Sequence, residues 1–212
     1  MAKRKHIYDV HPGVAMVQKW VTDLPSKSGR TLEVWAEMVK AKRFADLPTA
    51  RDWLRKEFGF GTSSAWWIAE YASGSPSWDG NADNYLRNAI GYVDEMFAGP
   101  KAWQRPLFEQ LVALARTLGP DVKICPCKTI VPFYCTRVFA EVKPATASRL
   151  ELSFALGEVP FTKELKLNPR AKGNDRLRHT VGFTTADGMN TKVRDWLATA
   201  YAEDRLASEP VS

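Results

Sequence analysis

The chain has 212 residues, of which 45% are hydrophobic and 25% charged, with a formal charge of +6 and a pI near 9.2. That is the composition of an ordinary globular protein with room for one large or two small cores. It excludes a helical membrane protein, since no apolar run approaches the roughly 20 residues that cross a bilayer. The basic start, Met1-Ala2-Lys3-Arg4-Lys5-His6, leads into no apolar segment of a secretory signal. Three cysteines without a framework spacing fit reduced thiols, so a cytoplasmic location is expected.

Residues 1–90 carry 13 basic and 10 acidic side chains, and residues 91–212 carry 17 and 14. The surplus is therefore shared and belongs to no single basic tail. Its local concentration is Lys163–Arg178, where Lys163, Lys166, Arg170, Lys172, Arg176 and Arg178 face only Glu164 and Asp175. Such a run attracts polyanions or forms a solvated loop.

The first part of the chain reads as helical. Pro12–Val21 is a short periodic segment ending near Asp23-Leu24-Pro25. Thr31–Lys40 places Leu32, Trp35, Ala36 and Val39 on one face. Pro48–Phe58 has Trp53, Leu54 and Phe58 as its stripe and Gly59 as its stop. Ser63 or Ser64 then caps a helix containing Trp66, Trp67, Ile68 and Tyr71. His6 and His11 fall in a segment read as disordered.

Ser73-Gly74-Ser75-Pro76-Ser77-Trp78-Asp79-Gly80-Asn81 cannot support a core and reads as a linker. Asp83–Phe97 resumes a helical spacing. Trp103–Leu118 shows a wide apolar face and is stopped by Gly119-Pro120. Strand-like runs follow at Val122–Cys127, Pro132–Thr136, Phe139–Lys143, Arg149–Leu156 and Arg176–Phe183. A last helix covers Asn190–Tyr201. No helix separates the middle strands, so the expected class is α+β. A small helical domain (11–73), a linker (74–84) and a mainly antiparallel sheet flanked by helices (85–206) follow one another.

Chemistry-bearing motifs are sparse. Cys125-Pro126-Cys127 with Cys135 has neither the spacing nor the ligand number of structural zinc, and it reads as buried small hydrophobes. No metal and no cofactor are expected. No nucleophile elbow, Walker loop or dinucleotide fingerprint occurs, and whether the chain is an enzyme stays open. The pair Pro48–Phe58 and Ser63–Tyr71 has a helix-turn-helix outline. Its second helix offers Ser, Trp and Glu70 where base readers carry Arg, Lys, Asn or Gln, so it does not read DNA sequence.

Two stretches, Gly29-Arg30-Thr31-Leu32-Glu33-Val34-Trp35 and Trp53-Leu54-Arg55-Lys56-Glu57-Phe58-Gly59, resemble a small helical bacterial domain of unknown function numbered 4287. Tyr92–Asp204 resembles the domain of unknown function numbered 5655. The matching pieces are Phe97-Ala98-Gly99-Pro100-Lys101, Leu118-Gly119-Pro120-Asp121-Val122, Pro126-Cys127-Lys128-Thr129, Pro144-Ala145-Thr146, Arg149-Leu150-Glu151-Leu152, His179, Trp196-Leu197 and Ala200-Tyr201. The resemblance implies two domains with an α+β second domain, and it brings no activity. It marks Lys128, Thr129, Thr146, Arg149 and His179 as matching polar positions.

Three readings result. In the first, Lys128, Thr129, Arg137, Thr146, Arg149, Arg178 and His179 form an electropositive patch that binds nucleic acid or a small anionic ligand, with no membrane partner. In the second, His179 is the general base of a small enzyme, with Lys128 or Arg149 stabilising negative charge. In the third, the tryptophan-rich first domain is a protein–protein adaptor.

Overall fold

The computed structural model describes residues 6–75, 78–185 and 188–207. Pro76 and Ser77 of the expected linker and Lys3-Arg4-Lys5 of the basic start lie outside the described residues. The chain forms two compact units, Val10–Asn88 and a second made of the residues up to Asp9 together with those from Ala89 onward.

In the first unit, α1 (Pro12–Ser28), α2 (Leu32–Lys42), α3 (Leu47–Phe58) and α4 (Thr62–Ala72) are followed by the start of α5 (Ala82–Met96). Thr31 and Asp46 cap α2 and α3, accepting hydrogen bonds from the main-chain N–H groups of Val34 and Thr49. Three expectations need correction. The first helix runs through Pro25 to Ser28, because Leu24 is buried in the core and Gly29 closes the helix in the left-handed region. Its N-cap is His11, whose Nδ1 accepts from Gly13 N at 2.9 Å, so the chain is ordered at His11. The fourth helix begins at Thr62 after Gly61, with no side-chain cap from Ser63 or Ser64. The core is Leu24, Trp35, Ala36, Leu54 and Ile68. Edge-to-face contacts of Trp35 with Phe58 and Phe60 extend it, and such pairs contribute beyond their buried area.

The second unit holds a 3-10 turn (Gly99–Gln104), α6 (Arg105–Leu118), α7 (Thr191–Leu206) and a six-stranded antiparallel sheet. The strands are β1 (Lys123–Ile124), β2 (Val131–Tyr134), β3 (Val138–Thr146), β4 (Arg149–Phe154), β5 (Lys166–Leu167) and β6 (His179–Phe183), in the order β1-β2-β3-β4-β6-β5. Each expected strand is present: β3 extends beyond Phe139–Lys143 at both ends, and the others are shortened or shifted. The short edge strand β5 lies inside the basic run, where no apolar alternation announced it. Together the two units make the α+β class expected from the sequence.

Strand alternation gives the sheet two unlike faces. Val142, Leu150, Leu152, Phe154, Val181 and Phe183 share the apolar face, and α7 packs on β3 and β4. Glu141, Lys143, Arg149, Glu151, Ser153, Thr180 and Gly182 share the other. The chain before α1 also belongs to this unit: Asp9 N donates to Ile124 O, and Ile124 N donates to the Asp9 carboxylate, both at 2.9 Å. Among the described residues no helix is long and apolar enough to cross a membrane.

Candidate functional site

The polar face of the sheet is mostly committed to itself. Arg149 Nε lies 3.1 Å from Glu151 Oε1, and Arg170 reaches over from the segment after β5 to bond Glu141 Oε1 at 3.1 Å. Burial pushes the Glu141 carboxyl above its ordinary range, while Arg170 opposes that shift. Beside it, Asn168 Nδ2 donates to Ser153 Oγ at 3.3 Å and to Leu177 O at 2.8 Å. A cleft of about 590 Å³ borders this network, lined by Arg137, Glu141, Asn168, Arg170 and Arg176 among others. Its guanidinium groups are already compensated. Arg137 and Arg176 both bind the fully buried Asp204, at 3.2 and 2.8 Å, and Arg170 binds Glu141.

The seven residues expected to form one patch are dispersed. Arg137 is part of the Asp204 network. His179 is 2% exposed on the apolar side of the sheet, its Nε2 is 2.7 Å from Val159 O, and its ring stacks on Phe161. Arg149 lies on the opposite face, and its guanidinium spreads across Gly182, where a Cβ would collide with it. His179 is paired with Phe154, five residues along β4 from Arg149. At about 3.3 Å per residue that is roughly 16 Å of strand. A general base at His179 therefore has no help from Arg149. Arg178 is exposed, and its carbonyl accepts from Asn168 N at 2.7 Å.

Lys128 and Thr129 do come together with other polar groups. They sit on the β1–β2 loop, in a turn closed by Cys127 N donating to Ile130 O at 2.8 Å. That turn, the 3-10 turn and the end of β3 enclose a cleft of about 610 Å³ lined by Glu95, Lys101, Lys128, Thr129, Lys143 and Ala145, among others. The 3-10 turn is fixed to the β3–β4 hairpin: Lys101 Nζ donates to Pro144 O at 2.9 Å, Trp103 Nε1 to Ala147 O at 2.7 Å and Gln104 Nε2 to Thr146 O at 2.8 Å. Thr146 thus contributes its carbonyl to the scaffold, and its exposed hydroxyl lies 3.3 Å from Ser148 Oγ. Among the described residues no carboxylate lies within ion-pair distance of Lys101 or Lys143.

Sequence reasoning missed Lys101 and Lys143. Their signal was available: Lys143 ends an alternating strand on its polar side, and Lys101 follows Gly99-Pro100, a turn pair. What brings them together is the hairpin, which spacing alone does not show.

Two of the three cysteines are held as thiols. Burial pushes the Cys125 thiol up to about 12, and burial with the neighbouring Asp121 carboxylate pushes Cys135 up to about 11. At neutral pH such thiols are protonated and poor nucleophiles. No group of three potential metal-ligating side chains gathers among the described residues.

These features define an α+β protein whose C-terminal unit carries a lysine-lined cleft at one end of an antiparallel sheet. The family model described as domain of unknown function (DUF5655) matches residues 93–203, and the chain belongs to that family. No curated protein and no solved structure matches the chain.

Proposed function

We propose that the C-terminal unit is a binding module that holds a phosphate-bearing anion in the cleft of Lys101, Lys128 and Lys143. The ligand is a phosphorylated small molecule or the backbone of nucleic acid, which present the same group. One observation carries the reading: three lysines from three separate segments line one cleft with Thr129, and that lining includes one carboxylate, Glu95. Ammonium groups give phosphate charge-assisted hydrogen bonds.

Two titrations of the full chain test it, one with inorganic pyrophosphate by calorimetry and one with a labelled duplex oligonucleotide by anisotropy. The expected result is saturable binding that weakens with salt and is lost in the Lys128→Glu/Lys143→Glu double variant. Binding of pyrophosphate alone assigns a small ligand, and binding of duplex alone assigns nucleic acid. No binding of either probe at low salt, or equal binding by the double variant, overturns the proposal.

The same reading treats residues 11–73 as a small helical domain of the 4287 kind, joined through 74–84 to the binding domain at 85–206. A cytoplasmic setting suits it, because its thiols carry no disulfide pattern.

A further inference from the structure

Phe161 is 47% exposed, yet the turn that carries it is built rather than loose. Thr162 N donates to Leu165 O at 2.8 Å, the Thr162 hydroxyl accepts from Leu165 N at 3.0 Å, and Leu165 is fully buried. On the other side, Val159 O is held by His179 Nε2 at 2.7 Å. The inner face of the Phe161 ring stacks on His179 at 4.6 Å with an interplanar angle of 26°. Leu167, 54% exposed, is the register partner of His179 on edge strand β5 and flanks the same stack. A rigid turn that holds an aromatic ring outward, with one face backed by another ring, leaves the second face open for a flat partner.

Charge narrows what that partner is. Exposed Lys163 stands two residues from Phe161, while exposed Lys166, the register partner of Thr180, and Arg178, next to His179, alternate onto the other face of the same rim. Of the acidic residues between 156 and 180, Glu164 is paired with Lys192 at 2.9 Å, Asp175 accepts from the main-chain N–H of Lys172 at 2.7 Å and keeps its charge 14 residues beyond Phe161, and Glu158 lies three residues before Phe161. An open aromatic face with one lysine beside it and a lysine and an arginine across the edge strand suits an unstacked base whose phosphates cross the rim. A duplex keeps its bases stacked on one another and cannot use the ring.

We infer that the β5 rim binds single-stranded nucleic acid, with Phe161 as the stacking platform for a base and Lys163, Lys166 and Arg178 as phosphate contacts. This surface shares no residue with the lysine cleft, so it stands or falls separately from the function proposed above.

The test is anisotropy of labelled oligo(dT) and of a labelled duplex with the full chain, over a salt series. Phe161→Ala is expected to weaken oligo(dT) binding about tenfold, with Phe161→Trp retaining it and duplex binding unchanged. Lys163→Glu/Lys166→Glu, which alters only exposed side chains, is expected to flatten the salt slope by about 0.7 for each phosphate no longer neutralised. The Phe161 effect persists in a Lys128→Glu/Lys143→Glu background, so failure of the cleft is read independently. Unchanged oligo(dT) affinity in both rim variants overturns the inference, as does absence of binding at low salt or an equal weakening on duplex. Self-association in sedimentation that Phe161→Ala abolishes, without oligo(dT) binding, also overturns it and assigns the patch to a second copy of the chain.

Discussion

The Asp204 carboxylate on α7 and the Arg137 guanidinium after β2 lie 3.2 Å apart, and the same carboxylate accepts the main-chain N–H groups of Thr136 and Arg137 at 3.0 and 2.8 Å. With Arg176 at 2.8 Å, Asp204 is a buried anion that ties the last helix to the β2–β3 turn and to the chain entering β6. Removing one partner from such a network leaves its donors uncompensated. Asp204→Ala is expected to cost about 3 kcal/mol, the low end for a broken buried pair because both arginines are partly solvated. Urea unfolding followed by circular dichroism measures it, and a change near zero would show that the network adds no net stability.

A second expectation concerns Gly119, which ends α6 in extended backbone that any residue adopts. Its constraint is space: a Cβ there would collide with the Tyr201 hydroxyl and lie 2.5 Å from Asp121 Oδ1. Gly119→Ala must displace the Tyr201–Asp121 hydrogen bond or shift the α6–β1 connection. Overpacking of this kind costs about 1–3 kcal/mol. A lowered melting temperature for Gly119→Ala, with a smaller further drop when Tyr201→Phe is already present, is the pattern that supports this close approach. Additive effects would place the strain elsewhere.

The pH dependence of stability should carry the mark of the same pair. The hydrogen bond from Tyr201 Oη at 2.7 Å, with further help from Cys135 and Arg205, holds the Asp121 carboxyl below its usual range against the opposing effect of burial. A carboxyl depressed in the folded state adds stability above its unfolded pKa, near 3.9, and that stability is lost as pH falls through the lower folded value. Urea midpoints of the natural chain and Tyr201→Phe are therefore expected to differ most above about pH 4 and to converge below it. A difference that stays constant down to about pH 2 would separate the phenol from the Asp121 titration.

The helical spacing of Leu32, Trp35, Ala36 and Val39 was enough to predict a buried stripe, and all four are buried. Local rules also found where helices begin, at Thr31 and Asn190, and where they stop, at Gly59 and Gly119, because caps and turns are decided by neighbouring residues. They failed at Pro25, where a buried Leu24 outweighs the missing hydrogen bond, and at β5, a two-residue strand that exists because β6 offers it an edge.

For the site, the sequence determined which side chains carry charge and which strand face each occupies, since alternation is a local property of the backbone. It could not decide which charges are spent. Arg137 and Arg149 look alike along the chain, yet Asp204 lies 67 residues from Arg137, while Glu151 lies two residues from Arg149. Whether a cation is compensated depends on a carboxylate brought within a few ångströms by folding, because Coulomb interactions follow distance in space. The tertiary structure alone therefore separated Arg137, Arg149 and His179 from Lys128, set Lys101 and Lys143 with Lys128 around one cleft, and turned Phe161 outward against His179.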